Sequence, residues 1–320
     1  MTAAPLRVAF AGLAHSHPHT DAANALALGA EVVAVQDSDG EAATAFAERC
    51  GARVVRTVAE LVALKPDVLI ATPRPEESLR LLRGLHESDA TMPVFFNKVV
   101  AATDAQFATW ESALESVRAP VGTASVLRFA PAVQRLAEEV ADEDIIGIRV
   151  HVQHDNAGFQ LPGRAWQDDP ARGGGTLVTV GVHAWDLVDS VVPGGTFDPT
   201  SGWTRRSTGS TTRSEDAAGI DGLLRRPEGG RPVPAQVMVT GIPGPDRYAV
   251  DVLTARGLRT VELDVDAPME QLGFAGLVRA LLEAAPAGRV PAPWAQARTV
   301  VGNTIRAAAF ARAGQASRGA

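Results

Sequence analysis

The chain has 320 residues, 46% of them hydrophobic and 21% charged, a composition that supplies ordinary cores and excludes bulk disorder. Its net charge of -7 argues against a nucleic-acid backbone or an anionic membrane as the main partner, and its single cysteine, Cys50, excludes an internal disulfide and a cysteine zinc site. The length suits two domains, the cysteine usage points to the cytoplasm, and no apolar stretch approaches the ~20 residues needed to span a bilayer.

In chain order, residues 6–11 form a compact apolar run ending at Gly12, the pattern of a strand buried on both faces. The run leads into HSHPH, not a small-residue cleavage site, so it reads as a first strand and not as a signal segment. Residues 20–28 have helical composition and stop at Gly29. Residues 31–36 (EVVAVQ) predict a second strand, and 40–50 a helix that Gly51 caps. A short strand at 52–55 and a short helix at 58–64 follow. Residues 67–71 (DVLIA) predict a buried strand ending at Thr72-Pro73, and 75–86 a helix with Leu79, Leu82 and Leu85 apolar. A strand at 93–96 runs into Asn97-Lys98-Val99, and 104–117 predict an amphipathic helix.

Strands joined through helices require right-handed crossovers, which build a doubly wound parallel sheet with ligands bound beyond the carboxyl ends of its strands. Gly12, Asp37, Thr72 and Asn97 stand at four such ends. Between the first strand and its helix a dinucleotide fingerprint would read G-x-G-x-x-G. Here the segment is Gly12-Leu13-Ala14-His15-Ser16-His17, with only the first glycine kept. Asp37 lies 25 positions after Gly12, near the spacing of an acid that binds a ribose 2′-hydroxyl and repels a 2′-phosphate, so NAD is favoured over NADP. A solvated turn residue is the plainer reading of Asp37. His15, Ser16, His17 and His19 read first as phosphate or substrate contacts at a helix N-terminus, then as ordinary loop residues, and last as metal ligands. No metal site is assigned.

The pattern changes near residue 120. A helix is predicted at 129–140, a long strand at 145–154 and, after Trp166-Gln-Asp-Asp-Pro-Ala-Arg-Gly-Gly-Gly175, a helix at 176–192. Strand-like runs follow at 202–206, 217–224, 235–239, 248–254 and 259–263, separated by turn residues, and helices at 271–284 and 294–312 close the chain. The expected class is α/β: a Rossmann domain over residues 1–121, then an α+β domain over 122–320 with an open, largely antiparallel sheet. His151 and His154 fall on opposite faces of a regular strand, which counts against a shared metal.

The order of a Rossmann half, a lysine at a late strand end, W-x-x-D-P-x-x-G-G-G, a helix carrying G-x-H-x-x-D, an open sheet and a closing helix pair resembles the Gfo/Idh/MocA family of sugar and polyol oxidoreductases over nearly the whole chain. The strongest local match is GGGTLVTVGVHAWDL at 173–187. The resemblance implies oxidation of a sugar, inositol or related polyol with a nicotinamide cofactor, and homodimers or homotetramers built through the sheet. It also implies a cofactor site formed by Gly12, Ala14, His15, Ser16, His17, Asp37, Thr72, Pro73, Asn97 and Lys98. The family's E-K-P matches Asn97-Lys98-Val99, so only Lys98 carries over. Its D-x-G-x-H matches Thr179-Val180-Gly181-Val182-His183, so His183 carries over and the aspartate does not.

In that frame His183 is the base for the hydroxyl proton, and Lys98 holds the substrate hydroxyl. Thr179 offers a hydrogen bond without charge. Asp186, on the helix face of His183, is expected to make a structural pair or cap contact, with partial substitution for the missing aspartate as the other reading. Trp166 and Arg164 are placed at the substrate, with an interface or core anchor as the other reading of Trp166. A trans bond is expected at Lys98–Val99, since a non-proline cis bond costs about 3–4 kcal/mol in peptides. Two alternatives stay open: a non-redox lyase, hydratase or isomerase acting on a keto-sugar, and a catalytically silent ligand-binding protein of the same fold.

Overall fold

The computed structural model describes residues 4–161 and 163–316, and the chain divides into two compact units. The first comprises the chain up to Val100 together with Ala105–Ala124 and Phe274–Ala297. Its elements are β1 (Arg7–Ala11), α1 (His17–Ala27), β2 (Glu31–Gln36), α2 (Gly40–Cys50), β3 (Arg53–Val55), α3 (Val58–Ala63), β4 (Val68–Ala71), α4 (Pro75–Glu87), β5 (Val94–Asn97), α5 (Asp104–Leu114) and β6 (Val121–Ala124). The six strands lie in the order β3-β2-β1-β4-β5-β6, all parallel.

The sequence makes this sheet because its strands are continuous apolar runs, as burial on both faces demands. Phe10, Phe95 and Phe96 are fully buried, with the Phe10 ring 5.0 Å from Phe46 of α2 and the Phe96 ring 4.9 Å from Trp110 of α5. Each such side chain contributes about 1.5–3 kcal/mol of burial. Helix α2 begins where the Asp39 side chain accepts the amides of Glu41 and Ala42, and ends at Gly51 with φ 71°. Register aligns Ala11 with Gln36 and Ala71, and Ala71 with Phe96. Gly12, Asp37, Thr72 and Asn97 therefore meet along one sheet edge. The helix Phe274–Ala284 returns to this unit and packs on α1.

The second unit comprises Ala101–Asp104, Ser125–Gly273 and the chain from Arg298. Its elements are α6 (Pro131–Val140), β7 (Ile145–Gln153), α7 (Gly175–Thr179), α8 (Gly181–Val191), β8 (Thr196–Arg205), β9 (Ala217–Arg225), β10 (Val233–Thr240), β11 (Arg247–Thr254), β12 (Gly257–Glu262) and α9 (Pro268–Gln271). Phe274–Ala284 is α10, and α11 runs from Trp294 to Ala316, its first turn in unit one and the remainder in unit two. The sheet order is β12-β11-β7-β10-β9-β8, antiparallel except for the β7–β10 pair.

Alternation decides which face of this sheet is covered. Ile148, Val150 and Val152 of β7, Val237 and Val239 of β10, and Ile220 of β9 are buried on the side of α7 and α8. Arg149, His151, Met238 and Trp203 take the opposite face. The Trp203 ring lies across Gly219, where a Cβ would stand 2.5 Å from the indole nitrogen.

Two predicted helices are divided. The segment 176–192 breaks at Val180 into α7 and α8, and 271–284 breaks at Leu272-Gly273, where Gly273 has φ 87° and a Cβ would meet the Val126 carbonyl. β6 joins the parallel sheet at a segment without a predicted element, and β7 ends at Gln153, one residue short of His154. Among the described residues no helix is long and apolar enough to cross a membrane, and no group of three or more His, Cys, Asp or Glu side chains is placed to hold a metal.

Candidate functional site

At the sheet edge of the first unit, Gly12 has φ 82°, and a Cβ there would stand 2.6 Å from the backbone nitrogen of Pro73. The β1–α1 turn passes this close to the end of β4 only with glycine, which accounts for the one fingerprint residue retained. The loop then folds onto its neighbours. The amides of Gly12, Leu13 and Ala14 donate to the Gln36 carbonyl at 2.8 Å, Asp37 Oδ2 at 2.5 Å and the Thr72 carbonyl at 3.0 Å.

Asp37 Oδ1 accepts the Asp39 amide at 2.7 Å. A carboxylate has about four lone-pair sites, so after two backbone bonds Asp37 still has acceptor capacity. Burial raises its pKa above the ordinary value, against the two amide bonds that favour the charged form. Beside it lies a recess of about 330 Å³, lined by Gly12, Ser38, Arg56, Thr57, Pro73 and Arg80 among others. The carboxylates of Asp37 and Glu77, two hydroxyls and two guanidinium groups stand around the glycine turn, a donor and acceptor set of the kind a nucleotide's ribose end requires.

Of the histidines of HSHPH, His15 and His17 pack edge to face with ring centroids 4.5 Å apart, and His19 packs elsewhere. His15 Nδ1 accepts the His17 amide at 3.3 Å, so Nε2 carries the proton and donates to the Lys98 carbonyl at 3.3 Å. His15 thereby ties the β1–α1 loop to the segment after β5. The His17 ring lies 5.2 Å from Phe274 and the His19 ring 5.3 Å from Phe46. Burial, with Arg49, lowers the pKa of His19. Beneath this loop Asn97 Nδ2 donates to Asp21 Oδ2 and to Thr72 Oγ1, each at 2.9 Å. Thr72, Asn97 and Asp21 form a buried polar knot under the crevice. Lys98 follows β5 and is half-buried, and the Lys98–Val99 bond, expected to be trans, is cis. The preference of isolated peptides, on which that expectation rests, does not set the geometry here.

In the second unit His183 stands in the first turn of α8, 5% exposed. Its Nδ1 is 2.5 Å from Ser125 Oγ, and its ring is 5.8 Å from that of Tyr248 on β11. Thr179, one turn earlier, donates its hydroxyl to the Gly175 carbonyl. Asp186, one turn later, accepts the Ser125 amide and Arg128 Nε, the latter at 2.6 Å, while an Arg128 terminal nitrogen reaches Asp189 at 2.6 Å. Asp186 makes the structural pair expected of it. Desolvation works against the charge of Arg128, but Asp186 and Asp189 outweigh it and raise the pKa further above the ordinary value.

Tyr248 donates to Asp246 Oδ2 at 3.3 Å and lies 3.0 Å from His154 Nδ1, which is itself 2.8 Å from Asp246. Burial first, then Asp246, raises the tyrosine pKa. Burial alone would raise that of Asp246, but bonds from His154, the Asp155 amide and Tyr248 bring it below its ordinary value. His151, on the open face of β7, is 3.5 Å from Thr240 Oγ1, apart from this cluster.

Trp166 is buried at the start of the W-x-x-D-P segment, where a Gly173 Cβ would stand 2.4 Å from its carbonyl oxygen. Arg164 bonds Gln167 at 3.1 Å. Asp168 in the same segment accepts the amides of Arg213 and Ser214 at 2.6 and 2.9 Å, so this motif builds a loop anchor. Ser125, Arg128, Tyr248 and Asp246 had no local signal in the sequence. They reach the site from segments distant in the chain, although Tyr248 is the single tyrosine.

No family model and no curated protein matches the chain. Solved structures do match. GenD2 from gentamicin A biosynthesis, in complex with NAD, is 20% identical with a TM-score of 0.79 over 98% of this chain and 96% of that one. A myo-inositol dehydrogenase from Corynebacterium glutamicum is 15% identical with a TM-score of 0.76 over 98% and 97%. The WlbA dehydrogenase from Bordetella pertussis, in complex with NADH and UDP-GlcNAcA, is 16% identical with a TM-score of 0.76 over 98% and 97%. At these identities the likeness is one of fold.

Proposed function

We propose that the protein is a nicotinamide-dependent oxidoreductase acting on a sugar, inositol or related polyol, with NAD preferred to NADP. One observation carries the reading: the strand-end recess of the first unit, where a glycine turn, an acceptor carboxylate and paired hydroxyls stand together. The neighbours of like fold, which include complexes with NAD and NADH, support it. In this assignment Asp37 receives the ribose hydroxyls. Gly12 and Ala14 let the chain pass close, His15, Ser16 and His17 meet the phosphates, and Thr72, Pro73 and Asn97 form the floor. The cofactor, when bound, takes up or supplies a hydride.

Lys98 and His183 are proposed as the groups that hold the reacting oxygen and its proton, with Thr179, Trp166 and Arg164 nearer the rest of the substrate. A cytoplasmic location agrees with the single cysteine. Assembly as a homodimer or homotetramer through the open face of the second sheet completes the reading.

Calorimetric titration of the nucleotide-free protein with NAD, NADH, NADP and NADPH tests it. Micromolar binding of NAD(H) and weaker binding of NADP(H) are expected. Arg56 and Arg80 line the same recess, with Glu77 beside Arg80, so the preference rests on Asp37 as the acceptor at the end of β2. Asp37→Ala is expected to weaken NAD(H) at least tenfold and to narrow the gap between the two cofactors. A folded sample that binds none of the four would overturn the reading and favour a non-redox lyase or isomerase, or a ligand sensor.

A further inference from the structure

Arg164 stands two residues before Trp166, and its half-buried side chain is held in one direction. Its Nε donates to Oε1 of Gln167, which is itself buried, at 3.1 Å. The guanidinium lies over Gly158, where a Cβ would stand 3.0 Å from a terminal nitrogen and 3.4 Å from Cζ. Gly158 leaves room for the guanidinium, and Gln167 aims it. Neither terminal nitrogen has a hydrogen-bond or ion-pair partner among the described residues.

A charge withdrawn from water is ordinarily paired. Arg128 follows the rule: Asp186 and Asp189 neutralise it and raise its pKa. Arg164 does not. Burial is the sole cause that displaces its pKa, and the displacement is downward. Carboxylates are at hand in the same stretch, but they turn to backbone amides. Asp155 accepts the Ala157 amide and Asp169 the Ala171 amide, each at 2.8 Å, while Asp168 holds Arg213 and Ser214. An arginine stays charged at any ordinary pH, so the desolvated cation awaits an anion from outside the described chain. With Nε taken by Gln167, the two terminal nitrogens remain, and their N–H groups match two oxygens of a carboxylate or phosphate. The turn Ala165–Asp168 packs on α7, which leads into α8 and His183, so this cation and the imidazole lie on neighbouring segments of one unit.

We propose that the substrate is acidic, a sugar or polyol bearing a carboxylate or phosphate, and that Arg164 is the residue that receives this oxyanion and selects for it. The oxidoreductase reading supplies the reaction, on which the word substrate rests. The anion site itself rests on Arg164, Gln167 and Gly158.

Two measurements test it. Proton–nitrogen spectra of the nucleotide-free full chain, with arginine labelled in ¹⁵N, follow the Nε–H signal of Arg164, identified as the one missing from Arg164→Lys. Inorganic phosphate and acetate, added against chloride at constant ionic strength, are expected to shift that signal saturably. A signal that neither anion moves overturns the anion site. Calorimetry then compares D-glucose with D-glucuronate and D-glucose 6-phosphate, and D-galactose with its two corresponding acids. At least one acid is expected to bind about tenfold or more tighter than its neutral parent, the size of a hydrogen bond to a charged group, and Arg164→Gln to remove that advantage. The acid that gains identifies carboxylate or phosphate as the source. A panel in which no acid outbinds its parent, or an advantage that survives in Arg164→Gln, overturns the proposal. So does a tenfold loss of NAD(H) affinity in Arg164→Gln, which would put the guanidinium on the cofactor. The spectra need no cofactor, so failure to bind NAD(H) would overturn the dehydrogenase reading without touching the anion site.

Discussion

Asp21 of α1 is a carboxylate with no exposed surface. One oxygen accepts from Asn97, while the other, like Asn97 Oδ1, has no hydrogen-bond partner among the described residues. Burial raises its pKa to about 7, against the Asn97 bond. The unfolded chain releases this proton near the ordinary value of about 3.9. Between those values the folded state holds the proton and the unfolded state does not, so stability falls as pH rises from about 4 to about 7 and stays low above. The full span is about 4 kcal/mol. Asp21→Asn keeps the shape and removes the titration. Urea unfolding at pH 4.5 and pH 8 is expected to show the variant gaining most of that difference over the parent at the higher pH. Equal gains at both values would refute the burial argument.

At the scale of elements, the Val126–Phe129 turn is fastened to α8 through Arg128, whose guanidinium serves Asp186 and Asp189 together. Arg128→Met leaves two buried carboxylates uncompensated and is expected to cost about 3–5 kcal/mol in denaturant unfolding. A loss below about 1 kcal/mol would mean that the carboxylates find other partners. The same elements show what the sequence disclosed. Alternating apolar runs and helical segments gave away β1 to β5 and their helices, because burial on both faces leaves a continuous hydrophobic signature. Gly12 and Asp37 were legible because strand ends have a fixed relation to the sheet edge.

Val121–Ala124 is short and contains a glycine, so β6 carries too little pattern to read. The breaks at Val180 and Gly273 answer to packing against distant backbone, which no local period encodes. Ser125 reaches His183 across 58 residues and Tyr248 reaches His154 across 94, so this part of the site exists only once the chain has folded.

For the whole molecule, the open face of the second sheet is the feature with most to test. Trp203 and Met238 are exposed there beside a recess of about 370 Å³ whose rim carries Arg149, Asp221, Arg247 and Asp251. An apolar centre with charges of both signs at its rim is the make-up that the proposed assembly through this face requires. The proposed assembly predicts a multiple of the protomer mass in light scattering, and Met238→Glu with Trp203→Glu is expected to reduce it to a single protomer. An unaltered protein that already runs as one chain would sink that proposal.

The return of α10 to the first unit also orders events during synthesis. A ribosome completes β6 about 150 residues before it reaches Phe274, the residue whose ring meets His17. Through that interval the nascent first unit has all six strands but lacks the helix that packs on α1. Its flank is therefore open to chaperones and to neighbouring chains, and the loop beside Gly12 matures only after Phe274 has been added.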